Sequence, residues 1–141
     1  MNRRTRVLAC LVVMASTLVA PVVRAQQLPN PYGAPIGVDA ARKAVAQTVV
    51  AARKENIMIA VAIVDPAGEL VYFEKMDGTQ NASVNMALAK ARSAALYKRA
   101  TKVFQDLVAS GGDGLRVLKM VDAMPSAGGI PIIVDGRIVG A

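Results

Sequence analysis

Residues Ile57–Met76 read IMIAVAIVDPAGELVYFEKM, and this stretch decides the architecture. Two runs of β-formers, Ile57–Val64 and Glu69–Met76, flank Asp65-Pro66-Ala67-Gly68. Pro66 has the fixed φ wanted at the second turn position, and Gly68 suits the left-handed exit residue. The segment therefore reads as an antiparallel β-hairpin that ends at Asp77-Gly78.

Upstream, Asp39 is placed to cap a helix running to about Asn56. Val38, Ala41, Val45, Val49 and Ala52 fall on one face, while Arg42, Lys43, Gln47, Arg53 and Lys54 lie elsewhere. That pattern is an amphipathic surface helix. Before it, Gln26–Gly37 carries Pro29, Pro31 and Pro35 and reads as an extended lead-in. Downstream, Asn81–Arg99 is alanine-rich and helical, so another element can approach its backbone closely. Thr101 is placed to cap a shorter helix to about Ala109, stopped by Ser110-Gly111-Gly112. Leu115–Val121 is apolar and is read as a strand, and Met124–Gly129 is a loop. Pro131–Val134, Asp135-Gly136 and Arg137–Val139 form a second hairpin with a type I′ turn. This order is not alternating β-α-β. It predicts an α+β fold, an antiparallel sheet with helices packed against it. The last strand, with Ile138 and Val139, is expected to leave an unpaired edge and so to favour a homo-oligomer.

The 141 residues hold 17 Lys+Arg, 10 Asp+Glu, one Cys and no His. Three arginines precede the uncharged run Val7–Val23, and Val23-Arg24-Ala25 follows. Residues 1–25 thus read as a secretory signal cleaved after Ala25, with a periplasmic or secreted product. Cleavage removes four arginines and Cys10, and the net charge falls from +7 to +3. Residues 26–37 are then the extended segment and residues 38–141 the domain. Without His or mature Cys, a zinc site, a thiol nucleophile and a Ser-His-Asp triad are all excluded. A net charge of +3 with two Phe and three Tyr is a poor footprint for nucleic acid. No membrane association is expected once the signal is removed.

Candidate functional residues cluster on the second helix. Ser83, Lys90 and Tyr97 recur every seven residues and share an azimuth. Lys90, flanked by alanines, either snorkels to water or lines a pocket where it attracts a carboxylate. Thr101 is either a plain N-cap or part of an anion-binding helix start beside Lys98, Arg99 and Lys102. Met76 and Asp77 are either a core methionine and a turn residue or a pocket rim. Gly128-Gly129 is either a flexible turn or a place where backbone approaches a ligand.

Taken in order, "PYGAPIGVDAARKA", "VAIVDPAGELVYFEKMDG", "SVNMALAKARSAA", "YKRATKVF" and "GGIPIIVDGRIVGA" resemble the GlcG/HbpS-like family. The C-terminal domain of PduO-type corrinoid adenosyltransferases is related to it. The resemblance covers Pro31–Ala141 and implies a profilin-like layered α/β domain that self-associates. It also implies haem binding of the kind some members show. The family's lysine falls on Lys90, its haem-linked threonine on Thr101, its Met-Asp pair on Met76 and Asp77, and its Gly-Gly-x-Pro loop on Gly128, Gly129 and Pro131. Ala100 stands where the family has proline. Family members usually continue past Ala141 into a C-terminal helix, so the resemblance implies a C-terminally truncated domain with that helix missing.

The leading expectation is an exported protein that binds haem or a related tetrapyrrole. Without His or Cys, the strong iron ligands left are Tyr and Met, and propionates would pair with Lys90, Arg99 or Lys102. Two alternatives stay open: an enzyme or accessory acting on a small organic acid or corrinoid, and an oligomer-forming domain with a decayed ligand site. The signal reading is checked by mass spectrometry of the exported protein. Gln26 is the expected first residue, and Met1–Ala25 retained in a membrane fraction would contradict it.

Overall fold

The computed structural model describes residues 29–141, so the signal reading falls outside the described residues. Helix α1 spans Val38–Lys54 and buries Ala41, Val45, Val49 and Ala52, the stripe expected from the sequence. Its boundary residue is Gly37, not Asp39. Asp39 lies in the first turn, 3.6 Å from Arg42, where a carboxylate still favours the positive end of the helix dipole.

The central hairpin pairs β1, Ala60–Val64, with β2, Leu70–Lys75. The register runs from Ala60 opposite Lys75 to Val64 opposite Leu70, with an irregularity between Ile63 and Val64. Asp65 closes the turn by accepting from the backbone N–H groups of Ala67 and Glu69 at 2.8 and 2.9 Å. Successive residues of β1 face opposite sides. Ile63 joins α1 through Val45, Val49 and Met76. Ala62 and Val64 join α2, Ala82–Tyr97, through Ala91, Ala94 and Ala95. The hairpin is thus the middle layer between two helices. Ala94 and Ala95 are fully buried, so α2 lies close to the sheet.

Helix α3 spans Lys102–Ala109. Thr101 precedes it but makes no capping bond, because its side chain turns inward instead. The strand expected over Leu115–Val121 is also corrected: Gly112–Lys119 forms a 3-10 helix. Asp113 and Arg116, three residues apart, form an ion pair at 2.9 Å, which is a helical spacing. Only Val117 of this run is buried.

The second hairpin joins β3, Ile132–Val134, to β4, Arg137–Gly140. Positive φ at both Asp135 (46°) and Gly136 (71°) gives the type I′ turn. The expected free edge at Ile138 and Val139 is taken. Ile138 donates to the carbonyl of Pro31, and Gly33 and Ile36 donate to the carbonyls of Ile138 and Val139, all at 2.8 Å. The proline-rich lead-in is therefore the outer partner of β4, and Ile138 is 1% exposed. At the far end of β4, Val64 and Ala141 exchange two backbone bonds of 2.9 and 3.0 Å, joining the two hairpins. A Cβ at Gly140 would overlap the Val64 carbonyl, so this close approach requires glycine.

Enlarging the buried face of α2 tests this layering. Ala94→Leu should destabilise the fold by about 1–3 kcal/mol through overpacking against β1, read from urea unfolding.

Candidate functional site

A groove of about 500 Å³ lies between α2 and the edge of β1 that faces away from β2. Ala60 and Ala62 line it from β1, Ser83, Met86 and Lys90 from α2, and Thr48 from α1. Gly128, Gly129 and Ile130 form a lip, and Met58 and Ala141 also line the groove. Among the described residues, Lys90 has the only charged side chain in this lining. It is half-buried, with its Nζ beside Gly128. The ion pairs among the described residues join Arg42 to Asp39, Arg92 to Glu69 and Asp122, Lys102 to Asp106, and Arg116 to Asp113. Lys90 is in none of them, so its charge is available to a ligand carboxylate.

The lip is held from behind. Thr101 is fully buried; its Oγ1 donates to the carbonyl of Ser126 at 2.7 Å and accepts from the N–H of Gly129 at 3.0 Å. The backbone N–H of Thr101 donates to the Gly129 carbonyl at 3.0 Å. Ser93 accepts from the N–H of Met124 at 3.0 Å, and Gln105 from that of Ala127 at 2.8 Å. These bonds pin the Met124–Gly129 loop against α2 and α3. Gly129 touches α2 so closely that a Cβ would overlap the Lys90 carbonyl. Thr101 therefore acts on the groove through Gly129 and does not line it.

The structure brings together Ser83, Lys90, Gly128 and Gly129. It places the other sequence-derived candidates elsewhere. Met76 is 8% exposed and packs in the α1 core, while Asp77 lies exposed in the following turn. Tyr97 lies two turns beyond Lys90, where its hydroxyl donates to the Val121 carbonyl and its ring meets Phe104 edge-on. Arg99 stacks over Phe104 at 5.8 Å and donates to the Tyr97 carbonyl. Lys102 is exposed and paired with Asp106 at 2.8 Å.

The sequence reading missed Met58, Met86 and the β1 edge. Met86 was within reach, because it lies three residues after Ser83 and four before Lys90 on the same helix face. Met58 and the edge depend on which side of β1 is left open. The tyrosines are engaged away from the groove. Tyr32 donates to the Ala95 carbonyl at 2.9 Å under the Lys98 ammonium, and Tyr72 donates to Glu74 at 3.3 Å.

Fold and site define a small α+β domain with an amphiphilic groove beside its central hairpin. The family described as "Haem degrading protein HbpS-like" matches residues 36–141, and the chain belongs to it. It is 32% identical over 90 residues to Protein GlcG of Escherichia coli K12, covering 64% of this chain. That match spans just under two thirds of GlcG's own length, 66%. An uncharacterized 15.0 kDa protein of Citrobacter freundii is 30% identical over 105 residues, covering 72% of this chain and 74% of its own. Among solved structures, a double mutant of Streptomyces reticuli HbpS matches with TM-score 0.67 and 25% identity, over 84% of this chain and 80% of the other. A PduOC:heme complex matches in fold with TM-score 0.66 and 23% identity, over 75% and 78%.

Replacing the Thr101 hydroxyl tests its positioning role. Thr101→Val keeps the shape but strands the buried N–H of Gly129, and should cost about 1–3 kcal/mol in urea unfolding. Thr101→Ser, which restores the hydroxyl, should recover most of that loss.

Proposed function

We propose that this chain is an exported, self-associating protein that binds haem or a related tetrapyrrole in the groove beside β1. The observation that carries the reading is an apolar groove whose one charged side chain, among the described residues, is the cation Lys90. A porphyrin is a flat apolar body with carboxylate arms, and those two properties match the walls and Lys90 respectively. Membership of the HbpS-like family and the fold shared with the PduOC:heme complex support the same ligand class.

The residues present fit the group with an unusual donor set. The chain has no His, and the described tyrosines are engaged elsewhere, so the sulfur atoms of Met58 and Met86 are the donors that the groove offers iron. Neutral thioether is a soft ligand and favours the reduced metal. Bound haem would supply a redox-active iron. Lys90 would hold a propionate, and the Thr101-braced lip would keep Gly128 and Gly129 in place as a wall. The arginine-led apolar run at the N-terminus supports export. Exposed Leu118, Val121 and Ile130 support self-association, since such side chains favour burial between copies.

Haemin titration tests the reading. The expected result is a saturable Soret shift at one haemin per chain. Lys90→Gln should weaken binding several-fold with a nearly unchanged melting temperature, and Met86→Leu should alter the spectrum. Affinity and spectrum unchanged in both variants would remove the tetrapyrrole from this groove.

A further inference from the structure

The run Leu115–Val121 keeps most of its apolar side chains outside the core. A 3-10 helix has three residues per turn, so residues three apart lie in line, and Gly112–Lys119 presents three separate stripes. The first faces inward: a Cβ at Gly114 would overlap the Leu107 carbonyl of α3, and Val117 is buried. The second is charged, with Asp113 at its start and Arg116 and Lys119 after it. The third is apolar and turned to solvent. Leu115 and Leu118 form it, Val121 continues its spacing just past the helix, and their exposures are 47%, 58% and 80%. The Tyr97 hydroxyl holds Val121 there by donating to its carbonyl. The stripe therefore owes its outward direction to the packing of this helix on α3. Ala141 lies elsewhere, under the sheet-facing alanines of α2.

We infer that this stripe docks on the same stripe of a second copy, antiparallel about a two-fold axis. The inference rests on the self-association proposed above and names its surface. Three branched apolar side chains in line gain by mutual burial, and the charged stripe beside them selects the occupant. At a rise of about 2 Å per residue, Leu115 and Leu118 are about 6 Å apart along the axis. Setting Leu115 against the partner's Leu118 brings Asp113 within one residue of the partner's Lys119, on the same side of the apolar seam. Asp113 already pairs with Arg116 of its own chain at 2.9 Å. Lys119 is in no ion pair among the described residues. In the pair of copies each Asp113 stands between two cations, its own Arg116 and the partner's Lys119.

Other occupants suit this charge order less well. A parallel copy sets Asp113 beside Asp113 and Lys119 beside Lys119, which repel. An anionic bilayer favours cations along the whole rim, and here Asp113 stands at one end of the charged stripe, with Asp106 exposed on α3. A stripe that is acidic at one end and basic at the other is complementary to itself only when run antiparallel. Such a contact uses the same patch on both copies and so closes as a pair.

The test is sedimentation equilibrium of the full chain, without haemin, which gives the dissociation constant between copies. Leu118→Lys should raise that constant at least about tenfold, while Leu70→Lys, at an equally exposed leucine of β2, should leave it unchanged. Lys119→Asp should raise it several-fold. Adding Asp113→Lys to Lys119→Asp in the same chain reverses the charge order but keeps it self-complementary, and should restore most of the association. A variant that had merely misfolded would not be restored by a second substitution. Association unchanged by Leu118→Lys, equal loss with Leu70→Lys, or no recovery in the doubly reversed chain overturns this surface and leaves self-association standing. A wild-type chain that stays monomeric at every concentration overturns both. Wild-type monomer that co-sediments with phosphatidylglycerol vesicles, and is released from them by Leu118→Lys, also overturns the inference, because the stripe then serves a lipid surface.

Discussion

Val64 and Ala141 exchange two backbone hydrogen bonds, at 2.9 and 3.0 Å, and this one pair joins the two halves of the sheet. The central hairpin alone is a two-stranded ribbon, and such ribbons are marginal without packing on their faces. Here α1 covers one face and α2 the other, while the second hairpin reaches β1 only through its last residue. Gly140 makes that approach sterically allowed, and Ala141 joins the alanine cluster beneath α2. Among the described residues the contact involves the single residue Val64 of β1, and Ala60 and Ala62 of that strand line the groove.

A second dependency runs through small residues. Ala91, Ala94 and Ala95 bring α2 close to β1, and Gly129 brings the loop close to the Lys90 carbonyl. Thr101 then secures Gly129 with two hydrogen bonds at 3.0 Å, one made by its side chain and one by its backbone. Hydrogen bonds at a buried site are directional, so the lip has one position relative to Lys90. That arrangement separates two roles at the site: Thr101 sets the geometry, and Lys90 presents the charge.

Much of the fold was legible because its signals are local. The Asp65–Gly68 and Asp135-Gly136 turns need particular backbone angles, and few residue types supply them. The buried stripe of α1 follows from a periodicity of 3.6 residues. The family resemblance, read on five segments in order, agrees with the matching family over residues 36–141. Of the candidate residues, Ser83, Lys90, Gly128 and Gly129 meet in one groove, whereas Met76, Tyr97 and Arg99 are absorbed by packing around Val45 or Phe104.

What the amino-acid sequence determined by itself is the set of elements: two hairpins, an amphipathic helix and a helix with a face of alanines. Turn chemistry and periodicity act within a few residues, so they do not require the fold. The tertiary structure decided what depends on partners far along the chain. The lead-in at Pro31–Ile36 covers β4, which removes the expected edge there. Thr101 turns inward because the Gly129 N–H and the Ser126 carbonyl offer it buried partners that an exposed cap would lack. Leu115–Val121 carries the composition of a strand, but Gly112–Lys119 packs beside α3 with its hydrogen bonds closed locally as a 3-10 helix. Composition leaves both uses of that run open, and backbone groups settle on whichever partners the surrounding fold brings within reach.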